Sequence, residues 1–349
     1  MIAQCWLHIG TEKTGTTTIQ NFMARNRNAL LSQGYLYPVA PGTDNHRGLT
    51  AFGLDDRKID NVRIACGITN TEQVQPYRQK LRAALDEEIR ASTATKIVFS
   101  NEHLSSRLVG RLELLRIKEI CDQVAPLTKV VVYLRNQVDF LASWYGTFVE
   151  SGTTREFPYP LGKHMTRQLD YAALLASWRD VFGLQNMIVR RYEREDFPGG
   201  DVLEDFATQI GADIADFQRV EQLNESLDAT SIAFLREFNR YVPRFQDNGL
   251  NPLRGRVTGI LQKNKQGERL AIPHKIAEEI EEKFRASNES VSSEYFSSRF
   301  NPLFSPSHYT TRKNSELNDK IDVAEAVRIS TLLWCAQQAR IRRLEKQVK

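Results

Sequence analysis

With 349 residues, 41% of them hydrophobic, the chain can bury a substantial core as one large domain or as a domain with an appendage, which excludes an intrinsically disordered protein. Its 47 basic and 43 acidic residues nearly cancel. The formal charge of +4 describes a mildly basic surface with room for a local anion pocket, and nucleic acid is not an expected partner. Cys5, Cys66, Cys121 and Cys335 lie far apart with no C-x-x-C pair, so neither a metal site nor a dense disulfide framework is expected.

Met1 leads directly into the apolar run ending at Ile9, without a basic leader or cleavage site, so a cytoplasmic, reducing location is expected. No apolar run approaches membrane-spanning length. Cys5 to Ile9 reads as a strand and Gly10 to Thr17 as a glycine loop. A helix then carries Ile19, Phe22, Met23, Leu30 and Leu31 at helical spacing and ends at Gly34. Between Tyr35 and Asn70, Pro38, Pro41, Gly42, Gly48, Gly53 and Gly67 break any period, which predicts a long functional loop region.

A helix from about Thr71 to Ala91 feeds a short apolar strand, Lys96 to Ser100, followed by the polar turn Asn101 to His103. The pattern repeats. A helix through Leu112, Leu115, Ile120 and Val124 stops at Pro126, and a second buried strand, Lys129 to Leu134, is followed by Arg135 and by a helix from Asp139 to Val149. A further helix, Ala172 to Val181, precedes the strand Asn186 to Arg190. Alternating strands and helices predict an α/β fold with a parallel sheet covered on both faces. From Glu221 onward the sequence is mostly helical, so residues 1–220 are expected to form the α/β core and 221–349 a helical C-terminal extension. Ser226 or Asp228, and Ser290 or Ser292, suit helix caps there.

A glycine loop between a buried strand and a helix aims backbone N–H groups and the positive end of the helix dipole at one place, which suits a phosphate. The nucleoside-triphosphate loop reads G-x-x-x-x-G-K-S/T. Here Gly10, Gly15 and the hydroxyl of Thr17 are kept, but Thr16 stands at the lysine position and the loop's ammonium is Lys13. Glu12-Lys13-Thr14-Gly15-Thr16-Thr17 resembles the 5′-phosphosulfate loop of the P-loop sulfotransferase superfamily, roughly P-K-S-G-T-T, with Glu12 in place of the proline. A second stretch, from Val131 through Arg135 to Ser143, resembles that superfamily's 3′-phosphate motif, in which an arginine ends a strand and a serine follows eight residues later on the next helix.

The resemblance implies a P-loop-type parallel sheet and an enzyme that moves a sulfuryl group from 3′-phosphoadenosine 5′-phosphosulfate, releasing adenosine 3′,5′-bisphosphate. It implies that Lys13 stabilises charge on the leaving phosphate and that Thr14, Gly15, Thr16 and Thr17 wrap the 5′-phosphosulfate. Thr18 stands where many cytosolic members carry an adenine-stacking tryptophan. Arg135 and Ser143 would hold the 3′-phosphate, the arginine through its planar fork.

Sulfuryl transfer needs a group that accepts the acceptor's proton. Glu102 and His103 follow the Lys96 to Ser100 strand, and His103-Leu104 resembles the His-Leu after the equivalent strand in cytosolic sulfotransferases. His46 is a third candidate in a turn-rich segment. The acceptor, a glycan, lipid or small metabolite carrying a hydroxyl or amine, would meet residues 35–70 and 150–167, where Tyr35, Tyr37, Phe157 and Tyr159 either stack on sugars or pack. A basic loop, Gln262 to Arg269, and a basic terminal helix with Arg340, Arg342, Arg343 and Lys346 stay open in role. That helix could dock on the core, form a homodimer or rest as a peripheral contact on acidic lipid. A P-loop kinase and a catalytically silent nucleotide-binding protein are the rival readings. The kinase would need a metal-holding acid after an apolar strand, where this chain has Ser100-Asn101-Glu102 or Arg135-Asn136.

Overall fold

A computed structural model describes residues 2–219, 227–246, 249–311 and 316–348. The chain divides into two compact units. The first comprises residues 1–136, 163–222 and 284–305, and the second residues 137–162, 223–283 and 306–349. The position 220/221 itself lies outside the described residues.

The first unit is built on five parallel strands, β1 (Gln4–His8), β2 (Tyr35–Leu36), β3 (Lys96–Ser100), β4 (Leu127–Leu134) and β5 (Met187–Arg191), in the order β2-β3-β1-β4-β5. β3 and β4 flank β1 on opposite sides, with His8 in register with Ser100 and with Val131. The period of two divides each strand between two cores. Cys5, Leu7, Ile97, Phe99, Val130 and Val132 enter one cluster, while Trp6, Val98, Val131 and Tyr133 enter the other. A sheet buried on both faces needs apolar residues at every position, which is why these strands read as continuous apolar runs.

Helices follow the strands: α1 (Thr16–Arg25), α2 (Arg27–Ser32), α3 (Arg47–Gly53), α4 (Asn61–Ala65), α5 (Val74–Arg90), α6 (His103–Arg107), α7 (Arg111–Val124), α8 (Gln137–Glu150), α9 (Lys163–Leu169), α10 (Tyr171–Phe182) and α11 (Val202–Ile210). The helical region beyond them comprises α12 (Ala229–Tyr241), α13 (Val257–Lys263), α14 (His274–Phe296) and α15 (Val323–Val348). The α/β class with a helical C-terminal region is therefore what the alternation predicted.

Several local expectations change. The helix expected to run from the loop to Gly34 breaks at Asn26, which leaves the helical backbone (φ −101°, ψ 22°) while its N–H and its side-chain amide both donate to the carbonyl of Phe22. Leu112 and Leu115 are exposed at 68% and 38%, and α7 instead buries Leu114, Ile117, Ile120, Cys121 and Val124. Residues 35–70 are ordered around α3 and α4, and Arg63, fully buried, donates to the carbonyls of Ala51, Leu54, Asp55 and Lys58. A guanidinium spending its protons on loop carbonyls replaces the periodic ladder whose absence made the segment look open.

In the second unit Asp228 caps α12 by accepting from the Ser231 N–H at 2.7 Å and also takes the N–H groups of Gln266 and Gly267 in the basic loop. Ser226 lies outside the described residues. Ser290 and Ser292 sit inside α14 and start no helix. Among the described residues no helix is long and apolar enough to cross a membrane, and the four cysteines are free.

Candidate active site

Residues 9–15 connect β1 to α1 as a tight loop in which Gly10 (φ +62°), Lys13 (φ +67°) and Gly15 (φ +75°) all adopt left-handed backbone. A Cβ on Gly10 would stand 2.8 Å from Thr16 Cγ2 and 3.0 Å from Glu102 Cα, so glycine is required there by both conformation and space. Lys13 adopts the same conformation with a side chain, at a cost of about 1 kcal/mol that the surrounding bonds must hold. Those bonds are visible. Thr11 Oγ1 donates to the carbonyl of Tyr133 on β4 at 2.9 Å, the buried Thr14 hydroxyl donates to the carbonyl of Thr11 at 2.7 Å, and Arg135 Nη1 donates to the carbonyl of Lys13 at 2.8 Å.

The helix that follows is left open at its start. Gly15 caps α1 without a side-chain bond, and no acidic residue occupies the first turn. A helix start without a side-chain cap, with the positive end of the helix dipole, is a place that favours an anion. Thr16 is buried, Thr18 half-buried and Thr17 exposed, so the three threonines at this helix start differ in access.

Arg135 is tied from three sides: its guanidinium holds the loop, lies over the ring of Tyr192 at 5.7 Å, and its own carbonyl accepts the Tyr171 hydroxyl at 2.7 Å. Tyr192 in turn closes on the loop, its hydroxyl 3.3 Å from the place a Gly15 Cβ would take. Sequence reading passed over Tyr192, two residues beyond the expected end of β5. The signal was its position at a carboxyl end of the sheet, where ligands of such sheets collect. Ser143 lies on α8 and belongs to the second unit, whereas Lys13 and Arg135 belong to the first.

The polar turn after β3 gathers beside the loop. Asn101 is buried, takes the hydroxyl proton of Thr50 on Oδ1 at 2.8 Å, and accepts the His103 N–H on the same atom, starting α6. Glu102 Oε2 accepts from Gln20 Nε2 of α1 at 2.8 Å, a partner sequence reading also missed. His103 Nδ1 is buried without a hydrogen bond and lies 4.0 Å from Glu12 Oε1. Burial lowers the His103 pKa, against the pull of Glu102 and Glu12, while Arg107 and Arg47 push it the same way as burial. His103 therefore carries a neutral imidazole near neutral pH.

His46 is placed quite differently. It is fully buried, Nε2 bonds the carbonyl of Pro38 at 2.9 Å, and Nδ1 accepts the Ser100 N–H at 3.0 Å. Burial pushes its pKa down to about 3. With both ring nitrogens engaged, it has none left for an acceptor's proton. Tyr35, Tyr37 and Phe157 are likewise buried, so stacking on a sugar is closed to them. Tyr159 donates its hydroxyl to the Glu279 carboxylate. No cluster of three or more metal-ligating side chains is found among the described residues.

No family model matches the chain. It is 31% identical over 179 residues to an uncharacterized protein of Archaeoglobus fulgidus, a match that takes in 50% of this chain and 47% of that protein. The chain thus spans about half the length of the curated relative it matches. Among solved structures it is similar to a sulfotransferase from Alicyclobacillus acidocaldarius, with a TM-score of 0.41 and 17% identity over 67% of this chain and 91% of that one. It is also similar to the sulfotransferase domain of the Synechococcus PCC 7002 olefin synthase, with a TM-score of 0.35 and 11% identity over 72% and 93% of the two chains.

Proposed function

We propose that the protein is a sulfotransferase that uses 3′-phosphoadenosine 5′-phosphosulfate to sulfate a hydroxyl or amine. The observation that supports the reading is the bond from Arg135 to the Lys13 carbonyl, because it ties the arginine that follows β4 to the backbone of the loop's lysine, next to the start of α1 and at the ends of neighbouring strands. A donor phosphorylated at both 5′ and 3′ positions fits such a double cation site.

The donor supplies an activated sulfuryl group on its 5′-phosphate. In this reading the N–H groups at the start of α1, with Thr16 and Thr17, hold the 5′ end, and the Lys13 ammonium faces the oxygen that gains charge as the bond to sulfur breaks. Arg135 holds the 3′-phosphate. His103 is the base: Nε2 takes the acceptor's proton as the acceptor oxygen or nitrogen bonds to sulfur, while the electron pair of the broken S–O bond leaves with the bisphosphate. Glu12, opposite Nδ1, orients the ring and favours the tautomer with a free Nε2. Glu102 serves the scaffold through Gln20.

Calorimetry separates this reading from its rivals. Binding of adenosine 3′,5′-bisphosphate in preference to ATP with magnesium is expected; the reverse preference would identify a kinase-type site. Bisphosphate binding without hydrolysis or transfer of labelled sulfate from the donor, on any acceptor, would point to a silent nucleotide-binding protein.

A further inference from the structure

His103 and Arg107 are the first and last residues of α6, four apart, the spacing that sets two side chains on one face of a helix. Arg107 Nε is buried and finds no hydrogen-bond acceptor, and among the described residues no carboxylate pairs with its guanidinium. Lys58 Nζ donates to the carbonyl of Arg107 at 3.3 Å, which fixes another cation at this helix end. Arg47 opens α3, and the residues just before it are tied to the end of β3: His46 Nδ1 accepts the Ser100 N–H at 3.0 Å, and Asn45 Oδ1 accepts from Asn101 Nδ2 at 3.4 Å. Arg47 likewise has no carboxylate partner among the described residues.

Elsewhere in the first unit several arginines meet acids. Arg78 and Arg116 share Asp56, Arg82 meets Glu119, and Arg179 meets Glu294. Beside His103 two guanidiniums are left unpaired although two acids are close, because Glu102 is held by Gln20 and Glu12 stands against the His103 ring. The charges that act on His103 are Glu102, Glu12, Arg107 and Arg47, and those that act on the nearby His164 are Arg167, Arg107, Glu12 and Lys58. Leaving a partly buried guanidinium without an anion is costly unless a ligand supplies one.

We propose that the acceptor carries an anionic group, a carboxylate or a sulfate or phosphate ester, which Arg107 binds with help from Arg47 and Lys58 while the hydroxyl to be sulfated faces His103. This deepens the sulfotransferase reading and rests on it for the transfer step. The anion would also be the selective element, because a neutral analogue would leave Arg107 unpaired.

The test uses the isosteric pair 4-hydroxybenzoate and 4-hydroxybenzamide, titrated into the full chain by calorimetry with and without saturating adenosine 3′,5′-bisphosphate. The benzoate is expected to bind at least about tenfold more tightly than the amide, one unit of the usual tenfold ladder in affinity. Arg107→Gln should abolish the difference, Arg47→Gln should reduce it, and Arg107→Lys should retain part of it. Equal affinity for the two probes, no saturable benzoate binding, or a preference that survives in the Arg47→Gln/Arg107→Gln double variant overturns the proposal. A failure of the bisphosphate to bind would sink the sulfotransferase reading instead, and the probe preference is still read on the nucleotide-free protein.

Discussion

The guanidinium of Arg135 donates from Nη1 to the backbone carbonyl of Lys13 at 2.8 Å, so the side chain that ends β4 holds the strained residue of the loop that follows β1. One arginine thus fixes the loop, and in the sulfotransferase reading the same planar guanidinium meets a ligand phosphate. Arg135→Ala should lower affinity for adenosine 3′,5′-bisphosphate by about 2 kcal/mol, the scale of a charged hydrogen bond, and Arg135→Lys should recover only part of it. Titration calorimetry reads both, and an unchanged affinity in Arg135→Ala would remove Arg135 from the site.

Lys13 separates stability from activity. Its left-handed backbone costs about 1 kcal/mol, which glycine would relieve at a comparable entropic cost, so Lys13→Gly should unfold within about 1 kcal/mol of the parent. The same variant should lose most transfer, because the ammonium is gone. Urea unfolding beside a single-turnover assay provides the comparison.

Gly10 permits no such exchange. Gly10→Ala forces a Cβ to 2.8 Å from Thr16 Cγ2 and 3.0 Å from the Glu102 backbone at φ +62°, and backbone cannot swing aside as a side chain can. The loss expected is about 2 kcal/mol or more in stability, with bisphosphate binding weakened as α1 and the β3 turn separate.

The base can be tested through pH. Burial lowers the His103 pKa from its ordinary 6.5, so the acidic limb of the rate profile should fall below that value, and transfer should be lost as protonation removes the free Nε2. Glu12 favours the protonated ring, so Glu12→Gln should move the limb to still lower pH and reduce kcat, with Glu12→Asp restoring part of both. His103→Ala should abolish transfer while bisphosphate binding persists, and Glu102→Gln should keep substantial transfer. If Glu102→Gln abolishes transfer and His103→Ala does not, the two roles are reversed.

Acid stability should report the buried imidazoles. His8 and His46 are fully buried, and desolvation pushes both to about 3. Their folded pKa values lie below the unfolded value near 6.5, so the unfolded chain binds the extra protons. Stability is therefore present above about pH 6.5 and declines as pH falls toward 3, by up to about 1.4 kcal/mol per pH unit for each histidine. Chemical denaturation across that window should show a slope smaller by about one proton in His46→Gln than in the parent.

Four of the five strands of the first unit's sheet were legible because they are buried on both faces and read as short apolar runs, such as Lys96 to Ser100 and Lys129 to Leu134, whereas β2 falls in the segment expected as a loop. The loop was legible because Gly10 and Gly15 punctuate a strand and a helix. Where local signals gave out, long-range bonds decided. Residues 35–70 have no period, yet Arg63 and Arg78 stitch their carbonyls into ordered structure. Ser290 and Ser292 look like caps in a short window, but α14 runs through them because its other residues keep a helical face.

By itself the sequence determined the fold class, the glycine-containing turn from β1 into α1 and the cluster of polar residues at strand ends, since these rest on near-neighbour spacing along the chain. Only the tertiary structure decided what each polar residue spends its bonds on. His46 and His103 are both histidines beside the end of β3, yet one has both nitrogens tied to backbone while the other turns a ring edge to Glu12. Arg135 and Lys13, 122 residues apart, meet because strand order brings them together, and strand order is a property of the packed sheet.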